Sequence, residues 1–233
     1  MTDADAGMRT RRPFPAPVFP KPATWPLLLV AALLTGCSGV YYGAMEKLGY
    51  EKRDILVDRV DDARESQQEA REQFESALEQ FIATTGFEGG DLEAQYRRLK
   101  SEYDASVTRA DDVRRRIDQV ESVADDLFAE WQRELDLYTD AALRRASAAQ
   151  LRDTQSRYRQ LLGAMRRAES KIEPVLNAFR DRVLFLKHNL NAQAIASLRA
   201  DRRKIETDIA ALVQEMNRSI EAADGFIQAM GRS

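Results

Sequence analysis

The sequence predicts an all-α fold, a long antiparallel helical bundle of about four coiled-coil-like helices. Three observations carry that expectation. Of the 7 prolines in 233 residues, all but Pro174 precede residue 27, so the remainder holds a single copy of the residue that breaks helices most strongly. That remainder is rich in Ala, Glu, Arg, Gln and Leu, whose backbone preferences favour helix over strand. Its apolar residues also recur with a 3–4 alternation over four long stretches, the spacing that keeps one helical seam facing a partner. The composition excludes chemistry as well. One Cys forbids an internal disulfide framework or a Cys-rich zinc site. One His removes multi-His metal sites and most nucleophile–base schemes.

The first segment is read as an address. Arg9, Arg11, Arg12 and Lys21 lie among six prolines, and then an unbroken apolar run spans residues 27–34. That run is far shorter than the roughly 20 residues of a membrane-spanning helix. A basic lead, a short apolar core and small residues describe an export signal. The run ends in Leu34-Thr35-Gly36-Cys37, which resembles the lipobox of bacterial lipoproteins. The resemblance implies diacylglycerol on the Cys37 thiol, cleavage before Cys37 and acylation of the new amino terminus. More than one acyl chain is what stable anchoring requires. Ser38 occupies the place where Asp resembles an inner-membrane retention signal, and so points to the outer membrane, periplasmic face. Thr10-Arg11-Arg12-Pro13-Phe14 resembles a twin-arginine motif, although a long proline-rich stretch separates it from Leu27; ordinary secretion is the simpler expectation. Initiation at Met8 in place of Met1 would remove Asp3 and Asp5 from an otherwise basic leader. The expected organisation is a lipoprotein signal peptide over 1–36, an acylated Cys and membrane-proximal tether over 37–50, and the helical bundle over 51–233.

The first helical seam runs Leu56, Val60, Ala63, Gln67, Ala70, Phe74, Ala77 and Phe81, with Gln67 its one polar member. Residues 84–90, three glycines among them, make a turn, and Asp91 suits the N-cap of the next helix. The second seam runs from Leu92 through Tyr96, Leu99, Tyr103, Ser106, Ala110, Val113, Ile117, Val120, Ala124, Leu127, Trp131 and Glu134 to Tyr138. Its span predicts a helix of about 70 Å at 1.5 Å per residue. The register lapses at residues 138–140, residues 143–147 read as a short helical connection, and Ser147 is the expected N-cap of the third helix. That helix carries Leu151, Thr154, Tyr158, Leu161, Met165, Ala168, Ile172, Leu176, Phe179, Val183, Leu186 and Leu190. The step through Ala168, Ile172 and Leu176 is a stutter beside Pro174, which predicts a local bend. After a turn at residues 189–191, the fourth seam runs Ile195, Leu198, Arg202, Ile205, Ile209, Leu212, Met216, Ile220, Ala223, Ile227 and Met230. Helices of this length with short turns fold up and down, crossing at about 20°. Burial is satisfied within one chain, and dimerisation along one flank is compatible with the same pattern.

Residues 41–49 and 52–60, with Gly89-Gly90-Asp91-Leu92, residues 164–169, 171–174 and 184–192, resemble the bacterial domain-of-unknown-function family numbered 2959. Its members are helical lipoproteins, mainly of proteobacteria. The resemblance covers nearly all of the chain after Cys37. It implies no activity and carries over no functional residues; the proline-rich extension before Leu27 departs from the short leaders expected.

Residues 1–36 hold four basic and two acidic side chains, so chain totals of 35 and 38 leave 31 and 36, a net of −5. The signs are interspersed, as on solvated helix faces, whereas a nucleic-acid surface is net basic. Arg114-Arg115-Arg116 is the densest basic cluster and reads as part of that mixed surface. His188 beside Lys187 suits a helix C-terminus. Asp61-Asp62, Asp111-Asp112 and Asp125-Asp126 are adjacent pairs pointing about 100° apart on a helix, poor chelates for a cation. The loop around Phe87 lacks the Lys-Ser/Thr of a phosphate loop. Tyr96, Trp131 and Tyr138 fall on the seam and are expected in the core. Tyr41, Tyr42 and Tyr50 suit either the membrane–water interface or packing at the bundle base.

The expected function is therefore that of a non-enzymatic, lipid-anchored periplasmic protein. It has no catalytic residues, no metal and no cofactor; Cys37 is its lipidation site. It serves as a helical scaffold or as an interaction module for an envelope protein, without nucleic acid. Two other classes share parts of the pattern. A membrane-shaping module would need a basic concave face, which the net −5 opposes. A cytosolic coiled-coil accessory of DNA metabolism would need the leader to stay uncleaved.

Overall fold

The computed structural model describes residues 52–231. Four α-helices account for nearly all of them: α1 (Lys52–Thr85), α2 (Leu92–Glu134), α3 (Ala141–His188) and α4 (Ala192–Gly231), with a 3-10 turn (Leu135–Leu137) closing α2. There is no strand among the described residues. Each helix packs beside the one before it, and α4 closes the ring against α1, an up-down-up-down bundle.

The seam of α1 is the core seam. Leu56, Val60, Ala63, Gln67, Ala70, Phe74, Ala77 and Phe81 are all buried. Phe81 reaches across the diagonal to Phe179 on α3, ring centroids 5.9 Å apart and edge-on, so large and small residues alternate to fill one narrow interior. The second seam is buried from Leu99 to Leu127, except at Tyr103, which is half-buried. Beyond it, Trp131 is half-buried and Tyr138, 42% exposed, is not core; Tyr96 is half-buried as well. These positions lie at the helix ends, where fewer neighbouring helices flank α2.

Two expectations about α3 change. Its N-cap is Asp140, whose Oδ1 accepts from the Ala142 N–H (2.6 Å) and the Leu143 N–H (3.1 Å). A carboxylate placed where the first turn begins serves both orphan amides, so residues 141–147 belong to α3 itself and Ser147 is not a cap. The helix also runs unbroken through Pro174. At the stutter both Val175 and Leu176 are buried, which is how a seam absorbs one extra step. The expected terminal member of the seam, Leu190, lies in the loop and is 43% exposed.

On α4 the seam slips at one place. Ser219 and Phe226 are buried, and the expected Ile220 and Ile227 are only half-buried. Met216, Ser219, Ala223, Phe226 and Met230 keep the strict 3–4 alternation, and geometry outweighs the larger apolar area of isoleucine.

The turns are made by local chemistry. In the α1–α2 turn the Gly86 N–H bonds the Ile82 carbonyl (2.9 Å). Gly90 has φ +110°, where a Cβ would meet the Phe87 ring at 3.3 Å; that position calls for glycine. Asp91 caps α2 by accepting from the Ala94 N–H (3.0 Å), as expected, and Asn191 caps α4 by accepting from the Ala194 N–H (2.9 Å).

Candidate functional site

The two ends of the bundle differ, and cross-helix bonds define them. At one end, which we call the base, Lys52 pairs with Glu130, and Arg53 donates to the Met230 carbonyl. The start of α1, the end of α4 and the last turns of α2 are thus level. Trp131 Nε1 donates to Ser147 Oγ (2.9 Å), tying α2 to α3 at the same height. Past that bond the α2–α3 hairpin continues beyond the described residues of α1 and α4. Of residues 132–146 only Leu135 is buried, and Leu137 (78% exposed), Leu143 (58%) and Tyr138 stand in solvent.

At the opposite end the α1–α2 and α3–α4 turns lie together. Arg199 Nε donates to the Thr85 carbonyl (2.9 Å), satisfying a helix-terminal acceptor of α1. Between the turns lies an open cleft of about 520 Å³ lined by Phe87, Leu92, Leu190, Ile195 and Arg199, among others. Leu184 and Phe185 are also exposed near this end.

Along the sides two of the three acidic pairs bind arginines. Asp62 bridges Arg59 (2.9 Å) and Arg116 (3.0 Å), joining α1 to α2. Asp61 pairs with Arg64 (2.7 Å), Asp111 with Arg114 (3.0 Å), and Asp112 with Arg115. Arg114 also reaches Glu173 on α3 (2.6 Å), so the basic cluster is consumed in ties between helices. Exposed pairs of this kind contribute little each; their work is to fix which faces meet. Arg166 gathers Asp118 (2.8 Å), Glu169 (2.8 Å) and Glu121. Partial burial pulls its pKa down, and those hydrogen bonds more than reverse it, so the guanidinium is held charged. No group of three or more His, Cys, Asp or Glu side chains among the described residues is placed to hold a metal ion.

His188 is exposed in the last turn of α3. The capping there is done by its neighbour: the Asn189 N–H bonds the Leu186 carbonyl (3.2 Å) and its Nδ2 bonds the Phe185 carbonyl (2.9 Å). Cys37, Tyr41, Tyr42 and Tyr50 lie outside the described residues. The Trp131–Ser147 bond and the Arg166 hub were not foreseen. Both depend on which residues of α2 and α3 stand level, which a heptad pattern read one helix at a time does not give.

Just inside the base, Tyr158 of α3 packs edge-on against Phe128 of α2, centroids 5.4 Å apart. Burial pushes its phenol well above the ordinary tyrosine value, and the charges of Glu121 and Asp125 add to that. The folded chain therefore holds this proton more tightly than the unfolded chain, whose tyrosine titrates near 10. The associated stability is complete below about pH 10 and falls as pH rises beyond it. Urea midpoints at about pH 9 and about pH 11 should drop more for the wild type than for Tyr158→Phe, which has no proton to lose; equal drops would refute the assignment.

A family model described as "Protein of unknown function (DUF2959)" matches residues 41–230. The chain belongs to this family. The match takes in the whole described bundle and begins just after Cys37. No curated protein matches the chain. No helix among the described residues is long and apolar enough to cross a membrane. A DUF2959 chain is thus an all-helical module whose sides are closed by ionic ties and whose two ends carry its exposed apolar groups.

Proposed function

We propose that this protein is a non-enzymatic lipoprotein, held by acyl groups on Cys37 at the periplasmic face of the outer membrane. The bundle acts there as a scaffold or interaction module. One observation carries the reading: an eight-residue apolar run ending in Leu34-Thr35-Gly36-Cys37 stands directly before the family-matched helical region. Ser38 supports the outer membrane over the inner. The cleft between Phe87, Leu190 and Arg199, with exposed Leu184 and Phe185 nearby, is the surface suited to an envelope protein partner. Acyl chains buried in lipid stabilise attachment by about 0.8 kcal/mol per CH₂. Cys37→Ala should therefore abolish palmitate labelling in cells and leave the leader of residues 1–36 uncleaved, read as a higher mass. Equal labelling of wild type and variant would overturn the lipoprotein assignment.

A further inference from the structure

We infer that the overhanging α2–α3 hairpin tip is a second membrane contact, seating Leu137, Tyr138 and Leu143 in the interface of the phospholipid bilayer that holds the Cys37 acyl groups proposed above. Glu130, level with the start of α1 through Lys52, precedes Leu137 by seven residues. At 1.5 Å per residue the tip projects past the level of Lys52 by about 10 Å. Cys37 is fifteen residues before Lys52, a contour of at most about 50 Å. The acyl groups are therefore tethered to the end of the bundle that carries the tip.

The composition of the tip suits lipid. Leu137 is the most exposed of the large apolar side chains described, at 78%, and Leu143 stands one helical turn into α3. Tyr138 between them has the apolar ring and polar tip that favour the headgroup level. The charges are arranged to permit approach. Asp136 is paired with Arg144 (2.6 Å), and Asp140 is committed to the helix cap. Residues 132–146 hold three Arg and three Asp or Glu, a net of zero, so anionic headgroups do not repel the tip and its apolar side chains decide the contact. Leu190, in the cleft at the opposite end, matches Tyr138 in exposure, 43% against 42%, and supplies the comparison for lipid quenching, because adsorption through any exposed apolar group would bring it to lipid as well.

The test uses the full chain, acylated in cells and reconstituted into phosphatidylethanolamine–phosphatidylglycerol vesicles. With Cys37 blocked by its lipid, Leu137→Cys and Leu190→Cys each provide a single free thiol for an environment-sensitive fluorophore, both at exposed positions that tolerate change. The expected result is a blue-shifted emission at 137 that nitroxide-labelled lipids quench, and an unquenched emission at 190. Water-like emission at 137 on chains whose mass shows acylated Cys37 would overturn the tip contact and leave the anchor standing. Equal quenching at both positions would overturn it too, as non-specific adsorption. Absence of acyl mass on Cys37 would overturn anchor and tip together.

Discussion

Phe81→Ala should lower the unfolding free energy of the bundle by about 3–5 kcal/mol, the range for emptying a buried aromatic site. Phe81 has no exposed surface, and its ring meets Phe179 edge-on across the diagonal of the core. It therefore joins two helices that are not neighbours in the ring. Backbone of long regular helices cannot collapse into the void, so relaxation recovers little. Phe185→Ala, on a side chain 41% exposed, is the control and should stay within about 0.5 kcal/mol. The Phe81→Ala, Phe179→Ala pair should show a coupling of about 0.5–1.5 kcal/mol beyond additivity. Urea unfolding of five chains, the wild type, the two single variants, their double and Phe185→Ala, measures all three quantities, and a Phe81→Ala loss no larger than that of Phe185→Ala would contradict the described core.

Gln67→Met should act in the opposite direction, raising stability by about 1–3 kcal/mol. Most buried hydroxyls in the bundle return a hydrogen bond to their own helix. Ser66 donates to the Ala63 carbonyl (3.0 Å), Thr84 to Gln80 (2.8 Å) and Ser106 to Glu102 (2.8 Å). Gln67 differs: it is wholly buried, and neither its Nε2 nor its Oε1 has a partner. Ser219 Oγ on α4 is likewise unpartnered. The bonds Arg64–Asp224 (2.9 Å) and Arg71–Asn217 (3.1 Å) bracket both positions, so the two belong to one polar level of the α1–α4 interface. Methionine keeps the length and flexibility of glutamine and removes the unmet polar atoms. Loss of stability in the urea midpoint would show that solvent trapped at this level satisfies the amide. Polar residues on a seam also fix register and partner number. Sedimentation of Gln67→Met should therefore be read beside its stability, with a broadened distribution the mark of that role.

The helices were legible because burial in a narrow bundle follows period closely. Every seam position of α1, from Leu56 to Phe81, could be written down from spacing alone. On α4 spacing overrules residue type: Ile220 and Ile227 are larger and more apolar than Ser219, yet the strict alternation buries Ser219. At the start of α3, Ser147 and Asp140 are both good capping residues, and only the position where the chain leaves the 3-10 turn selects Asp140. The exposed tip was hidden for another reason. Leu137 and Leu143 are ordinary leucines, and their exposure goes with their place beyond the level where Lys52 meets Glu130 and Arg53 meets Met230, a relation between helices distant in sequence. Cys37 is the reverse case, recognised from four adjacent residues and needing no tertiary information.

The cross-helix ties carry a consequence for how such a chain can change its height. Trp131 must meet Ser147, Arg166 must meet Asp118, Arg64 must meet Asp224, and each tie fixes the offset between two antiparallel runs. Lengthening one helix by a few residues would rotate its seam away from the interior and shear these ties. The four runs can therefore grow or shrink only together, in whole heptads, in steps of about 10 Å. The reach of the cleft above the base is quantised, and a chain of this design sets it like the rungs of a ladder rather than the slide of a telescope.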